Sequence, residues 1–98
     1  MKKISPAPKA PTARSVLVER VQTGVRLEKR LLKVLKALAE LHDISLGDLI
    51  EGIVLHAFEG KAPFGDSSLR KILELKRVYG LDLDARDSHR LREVGDVS

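Results

Sequence analysis

A mainly α-helical chain opened by one short β-strand is what these 98 residues predict. Two of the supporting observations are periods. Residues 21–27 alternate with period two, and from Glu28 onward apolar residues recur at helical spacing. The third is size. A chain of 98 residues with no cysteine and 43% hydrophobic content makes one small domain with tails, and no disulfide braces it. Such a domain needs unusually good packing or association with a second copy.

In the strand, Val21, Thr23, Val25 and Leu27 are apolar or β-branched, while Gln22, Gly24 and Arg26 lie between them. That alternation gives one face to bury and one to expose. The first helix spans roughly 28–41. Leu31, Val34, Leu35, Leu38 and Leu41 form its stripe, Leu32 and Ala39 flank it, and Lys29, Arg30, Lys33, Lys36 and Glu40 cover the rest. His42-Asp43 break the pattern. Ser45 can cap a second helix over about 46–59, with Asp48 where a capping box places its acid. Leu46, Leu49, Ile50, Ile53, Val54, Ala57 and Phe58 make its wide apolar face, and Gly60 stops it. Residues 61–65 connect to a third helix near 68–79, capped by Asp66, Ser67 or Ser68 and ended by Gly80. Leu81-Asp82-Leu83-Asp84 reads either as an extended piece or as a further helix start at Asp84. The chain thus divides into an arm (1–17), a strand-and-two-helix domain (18–60) and a C-terminal extension (61–98).

The net charge is +4. Residues 1–20 hold Lys2, Lys3, Lys9, Arg14 and Arg20 against Glu19 alone, so the whole excess sits at the N-terminal end. Three of the four prolines, Pro6, Pro8 and Pro11, stand there too. Such sequence cannot bury enough apolar surface to order itself. It reads as a solvated tail or as a basic arm that orders on a polyanion. With a pI near 9.6, nucleic acid is the first partner to consider.

A single strand cannot satisfy its own N–H and C=O groups. The two helices after it carry apolar faces too wide to cover each other. A homodimer resolves both: two strands pair antiparallel about a two-fold axis, and four helices close a shared core. That core would comprise Val21, Val25, Leu27, Leu31, Leu35, Leu38, Leu49, Ile50, Ile53 and Val54. The ribbon's outward face would be Gln22, Gly24 and Arg26. A two-stranded ribbon fits the DNA major groove, where Arg can bond guanine O6 and N7 and Gln can bond adenine N6 and N7. The start of the second helix, Ser45-Leu46-Gly47, offers free N–H groups to a phosphate. Lys29 and Arg30 lie close enough to the ribbon to reach backbone phosphates.

Val21-Gln22-Thr23-Gly24-Val25-Arg26-Leu27-Glu28, then an amphipathic helix, then His42-Asp43-Ile44-Ser45 leading into Leu49-Ile50, resembles the ribbon-helix-helix family of the Arc, MetJ and CopG type. The resemblance covers about residues 18–60. It implies an obligate dimer that reads double-stranded DNA with its ribbon, commonly as a repressor. By position, Gln22, Gly24 and Arg26 match the base-facing sites, and Ser45 to Gly47 match the phosphate-clamping helix start. Gly24 departs from the usual side-chain-bearing reader, so the ribbon specifies fewer bases. Glu28 stands where proline is common. The resemblance leaves residues 61–98 unexplained. An antitoxin whose extension binds a toxin, and a plasmid partition or copy-control protein, are alternatives.

Other classes find little support. The chain has no phosphate-loop pattern, no nucleophile elbow and no Cys/His pair, so no enzyme and no cofactor is expected. It is also too short for a deep pocket of its own. His42, His56 and His89 lack metal-ligand spacing, and Asp82, Asp84 and Asp87 lack the glycine and closing glutamate of a calcium loop, so no metal is expected. Phe58, Phe64 and Tyr79 lie off the strand, which disfavours base stacking as in RNA readers. No apolar run approaches a membrane span, and Met1-Lys2-Lys3 precedes no signal-peptide core. A cytoplasmic location follows as the expectation.

Overall fold

The computed structural model describes residues 15–95. Its regular structure consists of α1 (Lys29–Leu41), α2 (Leu46–Phe58), α3 (Asp66–Tyr79) and a 3-10 turn, Ala85–Asp87. The basic arm falls, up to residue 14, outside the described residues.

Glu28 starts α1 as its cap. Its carboxylate accepts from the Leu31 amide at 2.8 Å, and the Leu32 amide donates to the Glu28 carbonyl at 3.0 Å. An acid there also suits the positive end of the helix dipole. α1 closes at the other end in a Schellman turn. The Ile44 amide donates to Ala39 and the Asp43 amide to Glu40. The turn needs a left-handed residue, and Asp43 supplies it at φ 57°, a conformation aspartate tolerates better than most side chains.

That turn delivers Ser45 directly to the start of α2. Ser45 Oγ accepts from the Asp48 amide at 3.0 Å. Ser45→Ala is expected to cost about 1 kcal/mol, within the usual range for a lost serine cap. Urea denaturation measures it, and an unchanged midpoint would mean that the cap bond contributes nothing. α3 corrects the sequence reading at its start. The helix begins at Asp66, its cap is Gly65, and no side chain bonds the freed amides. Asp66, Ser67 and Ser68 thus lie inside the helix, with Asp66 an acid in its first turn. Gly80 ends α3 in the left-handed conformation, as expected. Of the two readings at Asp84, the helix start holds in short form. Asp84 caps the 3-10 turn, and the Asp84 amide donates to Asp87 at 2.9 Å.

α1 is the central helix, and both α2 and α3 pack against it. Leu38, Ala39 and Leu49 form the buried cluster, joined by half-buried Leu35, Ile53, Phe64, Ile72 and Leu75. Leu38, at 2% exposure, is the most enclosed. Leu81 is buried as well, because the chain reversal at Gly80 folds it back onto the helices. An apolar cavity of about 330 Å³ lies between α1, α3 and the chain beyond Leu81, open on one side. The expectation of no deep pocket did not foresee this hollow, because the extension supplies walls that its sequence does not announce.

No strand occurs among the described residues. Residues 15–27 make no backbone hydrogen bond to any other described residue. The physical reason is that a ladder needs a second strand, and the described residues offer none. Val21 and Val25 accordingly stand 85% and 74% exposed. Val54, Leu55 and Phe58 are also exposed on α2. The Cα radius of gyration is 16.2 Å, against about 13 Å for a compact chain of 100 residues. One copy therefore leaves much of its apolar surface in water.

Candidate nucleic-acid interface

The residues expected to contact DNA stand at the two ends of α1. Residues 21–27 run into its start, and Ser45-Leu46-Gly47 follow its end. A helix of 13 residues separates them by about 20 Å. Arg20 reaches α2, where Nε and Nη2 donate to both carboxylate oxygens of Glu51 at 2.8 and 2.7 Å. These bonds raise the Arg20 pKa and lower that of Glu51. The pair ties the segment before α1 to the helix whose start is expected to hold a phosphate.

Gln22 and Gly24 are exposed. Arg26 is exposed and carries a partner: its Nε donates to Glu93 Oε1 at 3.1 Å, and Nη2 pairs with Oε2 of the same carboxylate. Lys29 faces solvent, whereas Arg30 is half-buried. Arg30 Nε donates to Glu28 at 3.0 Å, and its Nη1 donates to the Gly80 carbonyl at 2.8 Å and to Asp82 at 3.0 Å. The bond to Glu28 is the main reason the Arg30 pKa is raised. Glu28 is lowered, first by the Leu31 amide and then by Arg30. With its folded pKa below the unfolded one, the cap's contribution is present at neutral pH and lost as pH falls through the folded value.

At the start of α2, Ser45 and Gly47 are exposed and Leu46 is half-buried. The nearest atom to a side chain built on Gly47 would be Ser45 Oγ, at 4.0 Å, so the surface over the first turn is open. Asp48 stands in that turn and places a negative charge beside any bound phosphate. Of the expected core positions, Leu38 and Leu49 are buried. Leu31, Leu35, Ile50 and Ile53 are half-buried, and Val21, Val25, Leu27 and Val54 are exposed.

The sequence reading missed Glu93, Asp82 and Glu51 as partners of these cations. No local signal could have found Glu93, which lies 67 residues from Arg26. The histidines take separate places. His42 follows α1, the His56 ring bonds the Gly52 carbonyl at 2.7 Å, and His89 has φ 66°. Among the described residues, no group of three metal-ligating side chains could hold an ion, and no helix is long and apolar enough to cross a membrane.

A family model described as a ribbon-helix-helix domain matches residues 11–73. The chain belongs to the ribbon-helix-helix family. The match runs past α2 into α3, beyond the residues that carried the resemblance in the sequence. No curated protein and no solved structure matches the chain. Membership in the ribbon-helix-helix family carries the general reading of a DNA-binding regulator, a family typically without enzymatic activity.

Proposed function

We propose that the chain works as a homodimeric, sequence-specific DNA-binding repressor, with residues 21–27 of two copies paired as an antiparallel ribbon in the major groove. The observation that carries this reading is the segment itself. Val21 and Val25 alternate with Gln22, Gly24 and Arg26, are exposed, and have no ladder partner among the described residues. A second copy supplies that partner and covers Val54 and Phe58 at once. Gly52, with open space where a side chain would stand, leaves room for another helix to approach α2.

In this account Arg26 and Gln22 bond base edges, with the ribbon backbone close to the groove at Gly24. The amides of Ser45-Leu46-Gly47, with Lys29 and Arg30, hold phosphates and fix the register. The basic arm adds affinity that weakens with salt. Repression follows from occupancy of the DNA. Fluorescence anisotropy tests the reading, with labelled DNA from upstream of the chain's own coding region compared with a scrambled duplex at two salt concentrations. The expected result is a preference for the upstream duplex that persists as salt rises. Equal binding of both duplexes, collapsing in salt, would reduce the protein to a non-specific polycation.

An antitoxin is the second reading. It is favoured by Leu69 and Leu73, which lie one turn apart on α3 and are both exposed. A toxin would cover this exposed face of α3.

A further inference from the structure

The two arginines that this DNA-binding account requires are both held by the C-terminal extension. Glu93 takes the Nε and Nη2 edge of Arg26. Asp82 and the Gly80 carbonyl take Nη1 of Arg30. The acids come from two separate points of the extension and meet one cation just before α1 and one on its first turn. The extension is anchored at several points besides these ion pairs. Leu81 is buried, Lys76 Nζ donates to the Leu83 carbonyl at 3.0 Å, and Asp84 caps the 3-10 turn. Leu91 lines the apolar cavity together with Leu31 and Leu35.

A carboxylate across Nε and Nη2 of a guanidinium uses the donor fork that guanine O6 and N7, or a phosphate, would use. One fork cannot serve both partners. We propose that residues 81–95 form an autoinhibitory strap, in which Glu93 occupies the base-reading fork of Arg26, Asp82 holds the Nη1 donor that Arg30 would offer a phosphate, and both are displaced when DNA binds. The inference rests on the DNA-binding account above. The latch is light. Arg26 and Glu93 are 82% and 55% exposed, and pairs of that kind contribute little each. DNA therefore opens the strap at a modest penalty. Any partner that draws the extension away tightens DNA binding by the same factor.

The test uses the full chain with Glu93→Gln, Asp82→Asn, both together, and Glu74→Gln, which removes the same charge from α3. Anisotropy is read on the upstream and scrambled duplexes, and thermal midpoints by circular dichroism confirm that each variant folds. Glu93→Gln is expected to tighten binding about two- to fivefold and the double variant about tenfold. Glu74→Gln changes affinity far less. In an Arg26→Ala background, Glu93→Gln gives no gain. A gain from Glu93→Gln no larger than that from Glu74→Gln, in a protein that does bind DNA, overturns the strap and leaves the DNA-binding account standing. No binding of either duplex by wild type and by the double variant overturns both. Binding only by the double variant supports the strap in its strongest form.

Discussion

Arg26→Ala is expected to erase most of the protein's preference for its own upstream DNA over a scrambled duplex. A bidentate arginine–guanine contact carries about 1–3 kcal/mol of discrimination, or roughly 5- to 150-fold in relative affinity. The loss should appear as weaker binding to the specific duplex, while the scrambled duplex is bound almost as before. Two features make the variant informative. Arg26 is exposed and no core residue depends on it, so folding is preserved. Removing it also breaks the Arg26–Glu93 pair, so any change common to both duplexes reports the extension and the difference between them reports base reading. Arg26→Lys sharpens the result. It keeps the charge and loses the planar fork, so it should behave like alanine in discrimination and like wild type in salt dependence. Unchanged discrimination in Arg26→Ala would remove this residue from the base-reading set.

Val25→Asp is expected to abolish association. In one copy Val25 is open to water, and an aspartate there costs the monomer almost nothing. In the paired ribbon the same position faces the helices. An unpaired charge buried there costs about 3–5 kcal/mol, enough to weaken the dimer more than a hundredfold. Sedimentation equilibrium gives the dissociation constant directly, and DNA binding should fail in step with it. A Val25→Asp protein that associates as wild type does would show that the copies meet elsewhere. The contrast between 74% exposure in one chain and a proposed core position in two is what the substitution exploits.

Most of the helical frame was legible because it is local. Leu31, Val34, Leu35 and Leu38 recur at helical spacing, and α1 lies within one residue of the span this pattern gave. Ser45 and Gly60 mark the ends of α2 by chemistry that acts over three or four residues. Asp84 announced a helix start that proved to be one short turn. The misses have a different origin. At α3 three polar residues competed for the cap, and the glycine before them took it. Leu81 looked like a tail residue because its burial depends on a reversal that brings it back to the helices. The partners of Arg26 and Arg30 lie 67 and 52 residues away, and no periodicity reports pairs at that separation. The strand is a further case. Its alternation is plain in the sequence, yet alternation describes only a surface with one face to bury, and the described residues leave Val21 and Val25 exposed.

Two copies meeting through residues 21–27 can be tested by cross-linking. The chain has no cysteine, so a single introduced thiol has only its own copy in the partner to react with. Pairing of residues 21–27 over their full length places the two-fold axis at Gly24. Opposed residues of an antiparallel pair stand about 4.5–5.5 Å apart at Cα, inside the range a disulfide spans. Thr23→Cys, Gly24→Cys and Val25→Cys, each oxidised under mild conditions and read on a non-reducing gel, test this directly. The expected result is a covalent dimer that forms fastest at position 24 and falls off on either side. A chain that remains monomeric at all three positions, while a cysteine at Phe58 cross-links readily, would contradict it.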